Sequence, residues 1–205
     1  MIGWKWRDDR GQAFPLYAVF IVMLLFAALA FFTIGKAALV RSDAQGAADA
    51  AALAAARESR DHLMPGLDLT ALTPEVWGKI LQGDRFATGG CGAANDFAAR
   101  NDATAACRQD GLRFVVEVKT NSTVGDSVVP GVSGQHGTAN ATAEIIPRCR
   151  LGSGGDGGSG ADETPEPAGP VEFKCDSGVV VKFDPAHSNL WTSVSRALFD
   201  IRLID

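Results

Sequence analysis

The feature that most constrains how this chain can fold is an uncharged, strongly apolar segment that runs without interruption from Ala13 to Ile34. A helix needs about 20 consecutive apolar residues to cross the hydrocarbon core of a bilayer. The segment has that length and is apolar on every face, whereas a surface helix of a soluble domain is apolar along one stripe. We therefore predict a transmembrane helix over residues 13–35. The alternatives are a buried helix of a soluble domain and a cleaved secretory signal, whose apolar core spans about 7 to 15 residues.

Charges and cysteines on the two sides of this segment predict its orientation. Basic residues flank it closely, with Lys5, Arg7 and Arg10 before it and Lys36 and Arg41 after it. This small excess on the N-terminal side follows the positive-inside rule. All four cysteines lie on the C-terminal side, and an even number of cysteines on one side indicates an oxidising compartment. We predict a single-pass protein in which residues 1–12 are cytoplasmic and the chain from residue 36 onward is extracellular.

Beyond the apolar segment the sequence predicts that the same helix continues through residues 36–60. Nine of the thirteen residues between 44 and 56 are alanine, the strongest helix former. Residues four apart share a helix face, so these alanines form rows of small side chains that a second helix can approach closely. We predict a helical stalk whose helix-packing surface consists of Ala44, Ala47, Ala48, Ala51, Ala52 and Ala55. The alternative is that the alanines support an isolated stalk through their propensity alone.

The remaining residues, 61–205, are predicted to form an exterior domain. Thr73-Pro74-Glu75 has the cap residue, first-turn proline and early acid of a helix start, which predicts a short helix over 74–82. From Leu112 to Lys119 apolar and polar residues alternate with the two-residue period of a half-buried strand. The other predicted elements are a helix between Cys91 and Cys107, strands at 139–147, 171–175 and 178–183, a hairpin turn at Asp176-Ser177-Gly178, and an amphipathic C-terminal helix through Leu190, Val194, Ala197, Leu198 and Ile201.

Short connections favour antiparallel pairing, so the predicted fold class is α+β. A long N-terminal transmembrane helix continues into an alanine-rich stalk and is followed by a small antiparallel-sheet domain with flanking helices. Residues 151–170 hold seven glycines and three prolines, a composition that does not bury enough surface to become ordered. This stretch is predicted to be a flexible loop inside the exterior domain.

The four cysteines are disulfide candidates, and sequence alone permits three pairings. Pairing of nearest neighbours joins Cys91 to Cys107 and Cys149 to Cys175, and the second bridge closes the base of the flexible loop. A zinc site is disfavoured because the spacings contain no C-x-x-C pair and because an exterior location favours oxidation. We predict no metal site.

Several kinds of chemistry lack support in the sequence. The three histidines lie far apart along the chain, no serine occurs in G-x-S-x-G, and no glycine-rich stretch is followed by G-K-[ST]. We therefore predict a protein that is not an enzyme, with no catalytic residues and no cofactor. The formal net charge of -5 disfavours nucleic acid as a partner.

Two sequence motifs resemble a known family. Asp9-Arg10-Gly11-Gln12-Ala13 leads directly into the apolar segment, and Ala44-Gln45-Gly46-Ala47-Ala48-Asp49-Ala50-Ala51-Ala52-Leu53-Ala54 follows it. In this order and spacing they resemble the TadE/TadG-like pseudopilins of bacterial tight-adherence (Tad, or Flp) pilus systems, over about residues 8 to 60. The resemblance implies insertion in the cytoplasmic membrane and a structural role in a pilus-like secretion system.

The resemblance also implies a processing site. Cleaved members of the family are cut after a glycine, here best matched by Gly11, which makes Gln12 the new N-terminus. The family typically has Glu five residues after that glycine, where this chain has Leu16. In a filament core that carboxylate neutralises a neighbouring ammonium, and an unpaired buried charge costs several kcal/mol. The substitution favours an uncut accessory or a minor pseudopilin over a major shaft subunit.

These observations lead to two functional hypotheses. The first is a pseudopilin or membrane-retained accessory of a Tad-type system, whose partners are the lipid bilayer and other pilin-like membrane proteins in a helix-mediated oligomer or hetero-complex. The second is a membrane-tethered extracellular binding module, in which the rod is only a stalk.

Overall fold

The computed structural model describes residues 13–62, 68–84, 89–125, 133–152 and 170–204. The predicted processing residues Gly11 and Gln12, and most of the predicted flexible loop, lie outside the described residues. The helices are α1 (Ala13–Asp61), α2 (Pro74–Leu81), α3 (Gly90–Arg100) and α4 (Trp191–Leu198), with 3-10 turns at Leu69–Ala71 and Pro185–Leu190. The strands are β1 (Ala103–Asp110), β2 (Arg113–Thr123), β3 (His136–Pro147), β4 (Cys149–Leu151), β5 (Val171–Cys175), β6 (Val180–Phe183) and β7 (Phe199–Ile204).

Helix α1 is one unbroken element that joins the apolar segment to the alanine-rich segment. It runs through Gly35 and Gly46, the two glycines of its interior, without interruption. Neither glycine has another atom within 4 Å of the position a Cβ would occupy. The predicted continuation of the helix from the apolar segment is therefore present.

The main sheet has four antiparallel strands in the order β1-β2-β3-β7. In β2 the residues Phe114, Val116 and Val118 are buried on one face, while Arg113, Glu117 and Lys119 are exposed on the other. In β3 the buried residues Ala143 and Ile145 continue the same face. This two-residue alternation is typical of a sheet that packs against the core on one side only.

Helices α1 and α3 cover the buried face of this sheet. Small residues allow the close approach, because a Cβ at Gly90 would clash with the backbone carbonyl of Ala55 in α1. A Cβ at Gly137, at the start of β3, would likewise clash with the carbonyl oxygen of Val40. The C-terminal half of α1 thus forms one layer of the core instead of standing apart from it.

This packing corrects the prediction of a helical stalk over residues 36–60. All six predicted helix-packing alanines are at most 1% exposed, namely Ala44, Ala47, Ala48, Ala51, Ala52 and Ala55. They contact the chain's own sheet and α3, so they are not available to a partner helix. The alanine-rich part of α1 packs on the domain because burial of the apolar faces of the sheet and α3 is favourable. The small alanine side chains let α1 pack closely against both faces. The folded domain, called the head below, therefore includes α1 from about Ala44 onward.

A second, three-stranded antiparallel sheet has the order β4-β5-β6. Its inner face holds an aromatic cluster in which Trp77 of α2 packs edge-on against Phe173 and Phe183, with ring centroids 5.5 and 5.7 Å apart. Trp191 of α4 extends this cluster at 6.1 Å from Phe183. Edge-to-face pairs of this kind are favourable beyond the area they bury. The cluster joins α2, α4 and the small sheet to the same core.

The predicted α+β fold class is confirmed, with differences in its details. The helix predicted over 74–82 is α2, where the side chain of Thr73 accepts a hydrogen bond from the backbone N–H of Val76. The predicted strands at 112–119, 139–147, 171–175 and 178–183 correspond to β2, β3, β5 and β6. Strands β1 and β4 were not predicted, since β1 is rich in alanine and polar residues and β4 has only three residues.

The predicted C-terminal helix is correct as far as Leu198 and wrong beyond it. Residues from Phe199 form β7, in which Ile201 lies opposite Ile145 of β3. The edge of β3 offers unpaired backbone groups, and pairing with it satisfies the backbone of this segment. Ile201 therefore faces the core from a strand and not from a helix.

Candidate functional site in the apolar half of α1

The N-terminal half of α1 exposes a large apolar surface. Phe14, Met23 and Phe31 are 81%, 72% and 78% exposed, and large apolar side chains project on every side of the helix as far as Leu39. The most apolar 18-residue window has a mean hydropathy of 2.7 and is only 6% buried. A core helix of a soluble domain would be mostly buried, so that alternative does not fit. Within the described residues, this is the one candidate membrane-spanning helix.

Lys36 marks the point where the apolar surface meets the folded domain. Its ammonium lies 5.5 Å from the ring centroid of Phe32, one turn earlier on α1, in a cation–π contact. A Cβ placed on Gly125, just after β2, would lie 3.8 Å from the same nitrogen. The nearby Thr33 hydroxyl donates to the carbonyl of Leu29 at 2.8 Å, so this polar group is satisfied within the helix. The exposed apolar half of α1 and the folded domain therefore meet within a single turn of the helix, at Lys36.

Sequence reasoning used Lys36 only as a flanking charge, and it did not identify the two close-approach glycines, Gly90 and Gly137. The first charge after an apolar segment is a recognisable signal for Lys36. The glycines have no such signal, because their role depends on which backbone segment passes beside them.

The far end of α1 is fixed to the domain by a cluster of charges. Asp61 accepts hydrogen bonds from Arg60 Nε and Arg196 Nη2, both at 2.9 Å, and its side chain is 15% exposed. Burial raises the pKa of the Asp61 carboxyl, but the hydrogen bonds from Arg196 and Arg60 outweigh this effect and hold the pKa below its usual value. The carboxylate is thus charged at neutral pH, which links α1 to α4.

Both nearest-neighbour disulfides are present. Cys91–Cys107 ties the first turn of α3 to β1, across a sequence separation of 16. Cys149–Cys175 joins facing residues of β4 and β5, across a separation of 26. The bridges hold peripheral elements to the sheets and leave no free cysteine.

The His, Cys, Asp and Glu side chains of the described residues do not gather into a metal-binding cluster. Among them, no group of three or more His, Cys, Asp or Glu side chains could hold a metal ion. The three histidines contact separate parts of the domain, with Nδ1 of His62 near the Glu58 carbonyl at 2.9 Å, Nδ1 of His136 near the Thr120 carbonyl at 2.7 Å, and Nδ1 of His187 near Asp184 Oδ2 at 2.9 Å. The last of these contacts lowers the pKa of the Asp184 carboxyl.

One polar groove of about 490 Å³ lies beside α1 where β7 ends. Gln45 and Asp49 of α1 form one wall, and their side chains hydrogen-bond to each other at 2.8 Å. The opposite wall consists of Asn140–Thr142 of β3 with Leu203 and Ile204 of β7. The last described pair between β7 and β3 joins Ile204 to Thr142, and the groove lies at this end of the pairing.

In comparison with known proteins, the helical segment matches one family. A family model described as "Putative Flp pilus-assembly TadE/G-like" matches residues 11–58, a range that ends three residues before the end of α1. The match confirms the resemblance predicted from the two sequence motifs. No curated protein and no solved structure matches the chain.

Proposed function

We propose that this chain, whose residues 11–58 are TadE/G-like, is a structural, non-catalytic component of a Tad-type pilus or secretion system. It acts as a pseudopilin or as a membrane-retained accessory. The observation that supports the proposal is the division of α1 into an exposed apolar half and a half buried in the exterior domain. One rigid helix thereby joins a membrane anchor to a folded head without an intervening linker.

The proposed topology places the N-terminus in the cytoplasm and the head on the extracellular side of the cytoplasmic membrane. Both disulfides belong to the head, and disulfides form and persist in oxidising compartments. The slight excess of basic residues before the span points in the same direction.

The surface available for partner helices is the half of α1 before Val40, because the alanines beyond it are covered by the head. In lipid, helices associate through van der Waals packing, and small residues let their backbones approach closely. Ala18, Ala27 and Ala28 are exposed small residues within the apolar surface. In this proposal the apolar half exchanges lipid contacts for contacts with other Tad-system membrane proteins.

Photo-crosslinking from the apolar half tests the proposal. A photoreactive amino acid replaces Phe20 or Leu24, which are 60% and 55% exposed, in cells with an intact Tad system. We expect adducts with other membrane proteins of that system, and a strain lacking the system is the control. Adducts with lipid alone would contradict the proposal and favour the tethered binding module.

Processing at Gly11 distinguishes the two forms of the proposal. Mass spectrometry of the mature N-terminus detects a start at Gln12 if a prepilin peptidase cuts the chain, and an intact cytoplasmic segment if it does not. The first result supports a minor pseudopilin and the second a retained accessory. In either form, Leu16 is 75% exposed and provides no carboxylate for a neighbouring subunit.

A further inference from the structure

The unbroken helix fixes how far the head stands from the apolar segment. Each helical residue advances about 1.5 Å, so Lys36 and Val40 lie about 3 and 9 Å beyond Ile34, the last residue of the uncharged segment. A bilayer has a hydrocarbon core of about 30 Å and a total thickness of about 40–45 Å, which leaves about 5–7 Å of headgroups on each side. When the apolar segment spans the hydrocarbon core, Lys36 therefore lies among the headgroups.

The described residues that flank the β2–β3 connection lie at this level or just above it. The backbone at Gly125 lies beside the Lys36 ammonium, and the backbone at Gly137 lies against the carbonyl of Val40. A hydrogen bond of 2.9 Å from the Val124 N–H to the Gln135 carbonyl holds the two sides of this connection together. We define the described residues 122–125 and 134–136 as the membrane-proximal end of the head.

Lys36 provides a cation beside Gly125, and lipid phosphates attract a cation at headgroup level. Carboxylates are present at this end as well: Asp102 accepts a hydrogen bond of 3.1 Å from the side chain of Asn121, and Asp126 follows Gly125 in the sequence. The placement of this end therefore follows from the helical rise and the two close backbone contacts. The opposite end of the head holds Glu58 in the last turn of α1 and Asp110 at the far end of the β1–β2 pair.

We propose that the membrane-proximal end of the head rests in the headgroup layer of the leaflet from which α1 emerges, with Lys36 facing lipid phosphates. The inference depends on the proposed membrane span of α1. The head cannot rise from the lipid by flexing a linker, because α1 continues without a break from the apolar segment to its buried residues from Ala44 onward. Release from this surface requires α1 to move along the membrane normal, or to unwind.

Nitroxide labels at opposite ends of the head test this proposal in the full-length chain reconstituted in a lipid nanodisc. The native cysteines are all in disulfides, so a single introduced cysteine is the labelling site. Ser122→Cys and Gln135→Cys place labels on the two sides of the membrane-proximal end. Arg57→Cys and Asp110→Cys are the controls, and residue 57 lies about 32 Å beyond Lys36 along α1.

The nanodisc contains a lipid whose headgroup chelates nickel, which accelerates the spin relaxation of nearby nitroxides. We expect loss of power saturation at residues 122 and 135 and unchanged saturation at residues 57 and 110. Equal relaxation at all four positions, or none at residues 122 and 135, would overturn the proposal while leaving the span intact. A chain that fails to enter the nanodisc would instead contradict the span itself, and with it the proposed function.

Discussion

The backbone carbonyl of Ala55 in α1 lies directly against the α-carbon of Gly90 at the start of α3, with no room for a side chain between them. The ring of Phe114 closes the same site from the sheet. Helices α1 and α3 and strand β2 thus meet at Gly90.

Replacement of Gly90 by alanine should destabilise the head. The added methyl group must displace the α1 backbone or the Phe114 ring, and overpacking of this kind costs about 1–3 kcal/mol. Chemical unfolding of the full chain in detergent measures the change. Gly92→Ala is the matched control, since it lies in the same helix with open space around it. Equal stability of the Gly90→Ala variant and the native chain would show that α1 and α3 do not pack this closely.

Leucine at Ala48 or Ala51 should damage the head itself and not only assembly. Both alanines are fully buried between α1, α3 and the sheet, so a larger side chain forces these layers apart at a cost of about 1–3 kcal/mol. Unfolding of the isolated protein in detergent, without partner proteins, measures the loss. Gly46→Ala on the exposed face of α1 is the control and should stabilise the helix by about 1 kcal/mol.

The ion pairs of Asp61 predict an acid-sensitive contribution to stability. The folded-state pKa of Asp61 lies below its unfolded value near 3.9, so the stabilisation is fully present above that value and is lost as the pH falls through the folded-state pKa. The free energies of unfolding of the native chain and of Asp61→Asn, measured across pH 2 to 7, should differ by an amount that becomes smaller as the pH falls. A difference that stays constant with pH would contradict this role of the carboxylate.

Removal of the Cys149–Cys175 bridge should loosen β4 selectively. Strand β4 has three residues, so its attachment relies on β5, α2 and the disulfide. The double substitution Cys149→Ala with Cys175→Ala should lower the free energy of unfolding by about 2–4 kcal/mol. Hydrogen exchange at the Leu151 amide should also accelerate. Substitution of Cys91 and Cys107 by alanine is the comparison, and it should destabilise the head without the same acceleration at Leu151.

Local patterns in the sequence were sufficient to predict several elements. The cap and proline before α2, the alternation of β2 and the high alanine content of α1 each act over a few neighbouring residues. Strand β1 has no comparable pattern, because its alanines fit either a helix or a strand. The sequence also did not indicate that α4 ends at Leu198, because Ile201 suits the face of a helix as well as the face of a strand. Pairing with β3, more than fifty residues earlier in the chain, determined the outcome.

The sequence by itself determined that residues 13–35 form an apolar helix, that α1 continues beyond it, and that this region resembles TadE/G-like proteins. Only the tertiary structure decided what the alanine rows contact. A row of small side chains specifies that something packs closely, but not whether it is a partner's helix or the chain's own sheet. That choice depends on the apolar faces of β2, β3 and α3, which α1 covers within the same chain. The exposed half before Val40 has no such cover within the described structure, so it is the part of α1 that the proposed function assigns to lipid and partner helices.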